Sequence, residues 1–263
     1  MKDLTQGPIA LHLAQMSMFI GATMLVQTLY YLKLERYVRI DPALWRPHRA
    51  TWRRMLDIGL PAGGEFALIF VIHSTIYWSI QSFGASAQAG YGVGARVMQS
   101  IFLPAMAIAF AVAPIAGQNF GARHAGRVRA TFRTAALSGA TVMAALTLLC
   151  QWGPEHLVRG FAADPQVVRV GADYLRIMSW SFVGIGLIFT CSGLFQAIGN
   201  TWPALMSGVA RMLVLVLPMA WLSTLPGVQL EQFWHLSVAT IVLQTLFSLW
   251  LLRRELARRL VFV

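Results

Sequence analysis

Three ionisable side chains lie inside stretches that are otherwise apolar, and they are the residues of this chain best placed to do chemistry. Glu65 and His73 share the stretch 55–82, and Arg211 lies in the stretch 203–224. An ionisable group is expensive to hold in an apolar, low-dielectric segment, so it is usually retained for a function. A carboxyl group there can exchange a proton, or bind a cation once it is ionised. Glu65 is therefore the first candidate for cation coupling or for contact with a cationic substrate.

His73 and Arg211 each allow two interpretations. His73 follows Glu65 by eight residues, about 12 Å along a helix and about 80° around it, so the two share a side only loosely. His73 can join Glu65 in binding a cation or substrate, or it can be a neutral imidazole bonded to a neighbouring helix. Arg211 can be the charge partner of a buried carboxylate, or it can extend towards the cytoplasmic surface. For His73 we expect the neutral imidazole bonded to a neighbouring helix, and for Arg211 the extension towards the cytoplasmic surface.

The composition indicates which elements must position these side chains. Of the 263 residues, 57% are hydrophobic and only 12% are charged, and the mean hydropathy is +0.61. About a quarter of an average soluble domain is charged, so this composition excludes most soluble enzymes. The net charge of +11 does not indicate a nucleic-acid partner, because the basic residues stand in short runs between apolar stretches. The sequence has no P-loop, zinc-protease or serine-hydrolase motif, so we expect neither an enzyme nor a bound metal.

Seven apolar stretches are long enough to cross a bilayer as helices, which takes about 20 residues each. They are approximately 8–33, 55–82, 95–117, 134–152, 176–198, 203–224 and 233–252. The sequence therefore predicts an all-α polytopic membrane protein whose first partner is the lipid bilayer. Tryptophan is enriched at membrane interfaces, so the tryptophans near the predicted helix ends are expected to be anchors. They are Trp152, Trp202, Trp234 and Trp250.

The basic residues orient these spans. Fifteen of the 21 lysines and arginines fall in three segments on one side: 33–54, 123–133 and 253–259. The segment 83–94 on the other side has no charge. Because positive charge is retained in the cytoplasm, we predict a cell (inner or plasma) membrane protein with its N-terminus outside and its C-terminus inside. The basic segment 34–54 is expected to lie on the cytoplasmic membrane surface or to link two helical bundles.

Prolines and paired glycines indicate where helices bend and where they pack closely. Proline removes a backbone hydrogen bond, so we expect interrupted helices and candidate hinges at these positions. They are Pro61, Pro104, Pro114 and Pro218. Glycines four residues apart allow two helices to approach each other. Such pairs occur at 59 and 63, at 90 and 94, and at 117 and 121.

Three stretches, in this order and with this topology, resemble the multidrug and toxic compound extrusion (MATE) transporters. The run 58–65 reads IGLPAGGE and resembles the opening of the seventh family helix. The stretch 102–123 runs from FLPA to PIAGQNFGAR and resembles the eighth helix and its exit. The run 193–203 reads GLFQAIGNTWP and resembles the turn between the tenth and eleventh helices. The likeness covers nearly the whole chain.

The resemblance implies half of a two-lobed fold of about twelve helices. Residues 1–33 would be the last helix of a largely missing N-terminal lobe, residues 34–54 the inter-lobe linker, and residues 55–263 the six-helix C-terminal lobe with a basic tail. The substrate path of the family runs between the lobes, and alternating access rocks one against the other. The missing N-terminal lobe or a second chain is therefore an implied partner.

The resemblance also implies an antiporter, coupled to H⁺ or Na⁺, that exports amphipathic or cationic compounds and needs no other cofactor. Some branches use a glutamate in the seventh helix and an aspartate in the tenth, and these positions align with Ile69 and Ile185 here. Glu65 lies one turn before Ile69 on a similar face. Two rivals are a truncated membrane module that does not transport, and a flippase of related fold for lipid-linked saccharides. The flippase predicts more charge in its cavity than Glu65, His73 and Arg211 supply.

Overall fold

A computed structural model describes residues 49–260, and every regular element in that part of the chain is helical. The α-helices, in chain order, are α1 (Arg49–Ser79), α2 (Ala85–Gly121), α3 (Ala125–Trp152), α4 (Pro154–Arg159), α5 (Pro165–Met178), α6 (Phe182–Ala197), α7 (Trp202–Leu222) and α8 (Leu230–Arg259). Short 3-10 turns at Gln81–Phe83 and Ser179–Ser181 lie between α1 and α2 and between α5 and α6. The prediction of an all-α fold is confirmed.

Six segments of the described chain are long and apolar enough to cross a membrane. Five are single helices, namely α1, α2, α3, α7 and α8, and the sixth is the continuous stretch Pro165–Ala197 that α5 and α6 form together. These six correspond to the predicted spans from 55–82 onwards. The predicted first span, 8–33, and most of the predicted linker, 34–48, lie outside the described residues.

Several of the described helices extend beyond the predicted spans: α3 begins at Ala125 rather than at 134, the span of α5 and α6 begins at Pro165 rather than at 176, and the starts of α1 and α2 differ as well. Helix α1 begins at Arg49, so the last residues of the predicted linker are helical. Helix α2 begins at Ala85, so most of the uncharged segment 83–94 is helix rather than loop. Gly84 has φ of +89°, a backbone conformation that favours glycine, and it starts α2 directly after the 3-10 turn. The small and polar residues that open α2 lower its hydropathy, and a hydropathy window therefore places the start of this helix too late.

The start of α2 is held by close packing against α5. A Cβ added at Gly90 would lie 2.6 Å from the Val170 Cβ, and one at Gly94 would lie 2.5 Å from the Tyr174 Cδ1. Only glycine permits this approach, as expected for a pair of small residues one turn apart. The pair at 59 and 63 has no atom within 4 Å of either added Cβ, and Gly121 has none either. Of the three glycine pairs, only the middle one lies at a tight helix contact.

The prolines do not interrupt the helices. Helix α1 continues through Pro61, α2 through both Pro104 and Pro114, and α7 through Pro218. A long membrane helix can accommodate a proline because neighbouring helices, serine or threonine side chains, water or small local adjustments satisfy the freed backbone groups. The helices are thus continuous where interruptions were expected, at Pro104, Pro114 and Pro218, whereas bends and a hinge role at these prolines and at Pro61 stay predictions.

An aromatic cluster forms the centre of the larger of two groups of buried apolar side chains. The Tyr91 ring is fully buried, stacks on Trp234 at a centroid distance of 5.5 Å, and meets Tyr174 edge-on at 5.2 Å. Trp234 therefore lies inside the bundle, and its predicted role as an interface anchor is wrong. Trp152, Trp202 and Trp250 are exposed, which is compatible with that role. This cluster fixes α2, α5 and α8 around one end of the cavity described next.

Candidate functional site

A cavity of about 440 Å³ lies between α1 on one side and α2, α5, α6, α7 and α8 on the other. Isoleucine, methionine and phenylalanine supply 13 of the 28 residues of its wall, and leucine, alanine and glycine supply six more, so the cavity offers a mostly apolar surface to a ligand. The polar side chains that reach it are Glu65, His73, Tyr91, Tyr174, Ser192, Gln196, Arg211, Ser237 and Gln244. All three ionisable residues singled out in the sequence thus lie on one cavity. Ligand pockets commonly combine such a wall with a few polar groups.

Glu65 and Ser192 form a hydrogen-bonded pair on this wall. The Ser192 hydroxyl on α6 donates to the Glu65 Oε2 on α1 over 2.7 Å. Ser192 is buried and Glu65 is half-buried. The bond links two helices that are 127 residues apart in sequence and gives the carboxylate a fixed position facing the cavity. A carboxylate held in this way presents its remaining oxygen lone pairs to a cation or a proton donor.

His73 lies on the same helix and meets a residue of the aromatic cluster. Its Nδ1 is hydrogen-bonded to the Tyr91 hydroxyl on α2. The interpretation of His73 as an imidazole bonded to a neighbouring helix therefore matches its contact. The residue nevertheless lines the cavity, so this bond connects the ligand-facing wall to the buried cluster of Tyr91, Tyr174 and Trp234.

Arg211 is half-buried and lies on the wall of the cavity. Its Nε is buried and has no hydrogen-bond partner among the described residues. Close contacts between α1 and α7 show which residues of the two helices lie side by side. A Cβ added to Gly64 would lie 2.9 Å from Leu205, and a Cβ added to Gly208 would lie 2.9 Å from Leu68. One turn further along both helices, Arg211 lies near the level of His73. Extension of the Arg211 side chain towards the cytoplasmic surface stays a prediction.

The positions that correspond to acidic residues in some MATE branches lie on the same wall. Ile69 of α1 and Ile185 of α6 both line the cavity, and both are apolar in this chain. Ser192, two turns after Ile185, supplies the polar contact to Glu65 instead. This chain thus has its acid one turn away from the aligned position, with a hydroxyl partner on the facing helix.

Ser192, Tyr91 and Tyr174 are functional candidates that sequence reasoning missed. A single serine in an apolar run is common, and nothing in its spacing indicates that it faces Glu65. Tyr91 alone has a weak signal, because it lies between Gly90 and Gly94, but hydropathy predicts a loop for this segment. Tertiary packing brings these residues to the cavity, and no pattern along one helix reveals it.

A family model and several curated proteins match the sequence of this chain. The model of the MatE family matches residues 61–222. The multidrug export protein MepA of Staphylococcus haemolyticus is 27% identical over 215 residues, which are 80% of this chain and 47% of MepA. The probable multidrug resistance protein YpnP of Bacillus subtilis is 28% identical over 72% of this chain and 41% of its own length. The chain spans about half the length of the curated relatives it matches.

Solved structures show the same fold. An outward-facing multidrug resistance MATE family transporter of the MOP superfamily matches with a TM-score of 0.81 at 17% identity, over 89% of this chain and 53% of that chain. A MOP superfamily transporter from Pyrococcus furiosus matches with a TM-score of 0.80, also at 17% identity, over 89% of this chain and 53% of that one. Family model, relatives and fold agree on a multi-pass membrane protein, and this chain spans about half the length of the proteins it matches. The chain belongs to the MatE family of multidrug efflux transporters and corresponds to its C-terminal lobe.

Proposed function

We propose that this chain is the C-terminal lobe of a secondary transporter that exports amphipathic or cationic compounds in exchange for H⁺ or Na⁺. The observation that carries the proposal is the Glu65 carboxylate, which lies on the wall of an otherwise mostly apolar cavity. An aromatic or aliphatic cation gains from burial against isoleucine, methionine and phenylalanine. Its charge gains from the carboxylate, in a place where water screens little.

The same carboxylate supports coupling. A coupling cation and a cationic substrate that compete for Glu65 cannot occupy it together, so binding of one favours release of the other. Alternating access then carries each in one direction only. The proposal needs a first lobe, supplied by the same polypeptide or by a second chain, because the path in this fold runs between two lobes. The protein would act in the cell membrane with the C-terminus of this chain in the cytoplasm.

The apolar wall favours a multidrug exporter over a saccharide flippase. A flippase for lipid-linked saccharides has to accommodate a large polar and anionic headgroup, which requires many hydrogen-bonding side chains. The cavity has nine polar side chains within a wall of 28 residues, and six of them already have hydrogen-bond partners in the protein: Glu65, Ser192, His73, Tyr91, Tyr174 and Ser237. The chemistry of the wall thus suits an amphipathic molecule better than a sugar chain.

Everted membrane vesicles from cells that make the full-length protein test this function. We expect ethidium to accumulate in the vesicles when the lumen is acidic or loaded with Na⁺, and a protonophore or a sodium ionophore to abolish the accumulation. Vesicles from cells without the gene are the control. Movement of a lipid-linked oligosaccharide without dye accumulation would contradict the proposal and indicate a flippase instead. Movement of neither substrate would leave a membrane module that does not transport.

A further inference from the structure

An open groove of about 440 Å³ lies between α2 and α3, apart from the central cavity. Its apolar lining includes Ile108, Val112 and Ile115 of α2 and Ala135 of α3. Val112 and Ala135 are buried and form its floor, whereas Ile115 is exposed at its edge. None of the residues that line this groove lines the central cavity. The groove is therefore distinct from the site around Glu65.

The groove follows the two helices for about half the thickness of a bilayer. The residues of α2 that line it run from Ile108 to Asn119, and those of α3 run from Arg127 to Ser138. Each range corresponds to about 16 Å along a helix, and the hydrocarbon core of a bilayer is about 30 Å thick. The backbone N–H of His124 donates to the Asn119 carbonyl over 2.9 Å, so the chain turns back directly and α3 runs antiparallel to α2. Asn119 and Arg127 thus lie at the same end, and the length of the groove suits one acyl chain of a single leaflet.

The end of the groove at Arg127 is basic, and no acid on either helix balances it. Arg127 lines the groove and is exposed, and Arg123 lies in the turn that precedes α3. Neither α2 nor α3 contains an aspartate or a glutamate. The ion pairs within residues 49–260 do not include Arg127. A negatively charged group is therefore attracted to this end and is not repelled by either wall.

Arg123 is held in a backbone conformation that an arginine rarely adopts. Its φ is +60°, and it is the one non-glycine residue with a positive φ in the part of the chain that the structure describes. Glycine or asparagine occupies this left-handed region at lower cost. Residues strained in this way are concentrated at functional sites. The turn thus keeps a second arginine at the basic end of the groove, where the backbone would favour glycine.

We propose that the groove between α2 and α3 binds an anionic phospholipid, with the lipid phosphate at Arg127 and one acyl chain along the apolar floor. The guanidinium fork matches the oxygens of a phosphate. Basic pockets between membrane helices on the cytoplasmic side suit anionic headgroups, and the recess above Val112 and Ala135 gives the acyl chain close van der Waals contact. Placement in the cytoplasmic leaflet rests on the predicted orientation of the chain, whereas binding does not depend on the proposed function of Glu65.

Protection of a thiol in the groove tests this site in the purified full-length protein in detergent. Thr134 is an exposed residue of α3 that lines the groove, and Leu137 is exposed about one turn away without lining it. The reaction of Thr134→Cys with a maleimide is followed by mass spectrometry of the peptide that contains it. We expect phosphatidylglycerol to protect this thiol at about tenfold lower concentration than phosphatidylcholine with the same acyl chains, which corresponds to about 1.4 kcal/mol. Leu137→Cys should respond equally to both lipids.

Two arginine variants in the Thr134→Cys background locate the headgroup. Arg127→Gln should remove the preference for phosphatidylglycerol, because the positive charge on the groove is lost. Arg129→Gln is the matched control and should keep most of the preference, because Arg129 is also an exposed arginine of α3 but does not line the groove. Both variants lower the net charge by the same amount, so a difference between them requires a specific site.

Several results would overturn the proposal. Equal protection of Thr134→Cys by the two lipids would do so without any arginine variant. Retained preference in Arg127→Gln, or an equal loss in both arginine variants, would show that the groove is not the site of attraction. Glycerol 3-phosphate that protects as effectively as phosphatidylglycerol would show a site for small anions.

The same thiols also show whether protein rather than lipid occupies the groove. A Thr134→Cys thiol that stays unreactive without lipid, while Leu137→Cys reacts, would show that another part of the full-length protein covers the groove, and it would contradict the proposal. None of these results bears on gradient-driven export of ethidium, which tests Glu65.

Discussion

At the residue scale, the site depends on one hydrogen bond between two helices. The Ser192 hydroxyl holds the Glu65 carboxylate at 2.7 Å and leaves its other lone pairs facing the cavity. A hydrogen bond to a charged group contributes about 1.5–3 kcal/mol, more than a neutral one. Ser192 is thus a positioning residue for the carboxylate, and its loss should affect transport more than folding.

A Ser192→Ala variant tests this positioning role. We expect the initial rate of gradient-driven ethidium export to fall by about tenfold, since tenfold corresponds to about 1.4 kcal/mol of lost binding. The thermal unfolding midpoint in detergent should fall by only a few degrees. Ser207→Ala is the control, because Ser207 is also buried but its hydroxyl bonds only to the Ala204 carbonyl of its own helix. Equal export rates in the two variants would contradict the role given to Ser192.

The residues of the site could be predicted only in part. Glu65, His73 and Arg211 stand out because an ionisable group in an apolar run is rare, and all three line the cavity. Their partners could not be predicted in this way. Ser192 and Tyr91 are 127 and 18 residues from the groups they contact, so helix periodicity has no information on these pairs.

At the element scale, close approach of α2 and α6 builds the wall opposite α1. A Cβ added at Gly193 would lie 2.5 Å from the Ala109 carbonyl oxygen of α2, a backbone atom that cannot move aside. Gly193 is also the first residue of a stretch that resembles the family. Close packing of α2 and α6 therefore explains why this position of the family-like stretch is a glycine.

Gly193→Ala should destabilise the protein, by about 1–3 kcal/mol, the usual cost of overpacking a tight contact. The matched control is Gly126→Ala in α3, where an added Cβ would meet no atom within 4 Å. Alanine favours a helix over glycine by about 0.5–1 kcal/mol, so the control should be neutral or slightly stabilising. Thermal unfolding in detergent measures both variants. A Gly193→Ala protein as stable as the control would contradict the close packing of α2 and α6.

The helices themselves were largely predictable, because each long apolar run within residues 49–260 forms one helix, or in Pro165–Ala197 two consecutive helices, long and apolar enough to cross a membrane. Their ends were less so. The start of α2 was missed because its first turns contain small and polar residues, which pack on α5 rather than face lipid. Prolines were expected to interrupt helices, yet α1, α2 and α7 continue through them.

At the scale of the whole molecule, the distribution of charge predicts one orientation in the membrane. The start of α3 together with Arg123 before it, and the end of α8, are rich in arginine, whereas the connection between α1 and α2 is uncharged. Positive segments stay in the cytoplasm. We therefore expect the connection between α1 and α2 to be outside and that between α2 and α3 to be inside.

Cysteine labelling measures this orientation. Ser82→Cys and Ala122→Cys place single thiols at exposed positions in the two connections, and the native Cys150 and Cys191 are buried. A membrane-impermeant maleimide should label the Ser82→Cys protein in intact cells and the Ala122→Cys protein only after the cells are opened. The reverse pattern would contradict the predicted orientation, and it would also invert the direction of transport.

The central claim is that the Glu65 carboxylate couples transport, and one measurement tests it directly. Ion-gradient-driven ethidium accumulation is compared in everted vesicles with equal amounts of wild-type, Glu65→Gln and Glu231→Gln protein. Glu231 is the control, since it is an exposed acid in the first turn of α8. We predict that Glu65→Gln reduces accumulation to the level of vesicles without the protein, while Glu231→Gln stays within about twofold of wild type, as expected for an exposed group away from the site. Accumulation by Glu65→Gln at the wild-type rate would contradict the account.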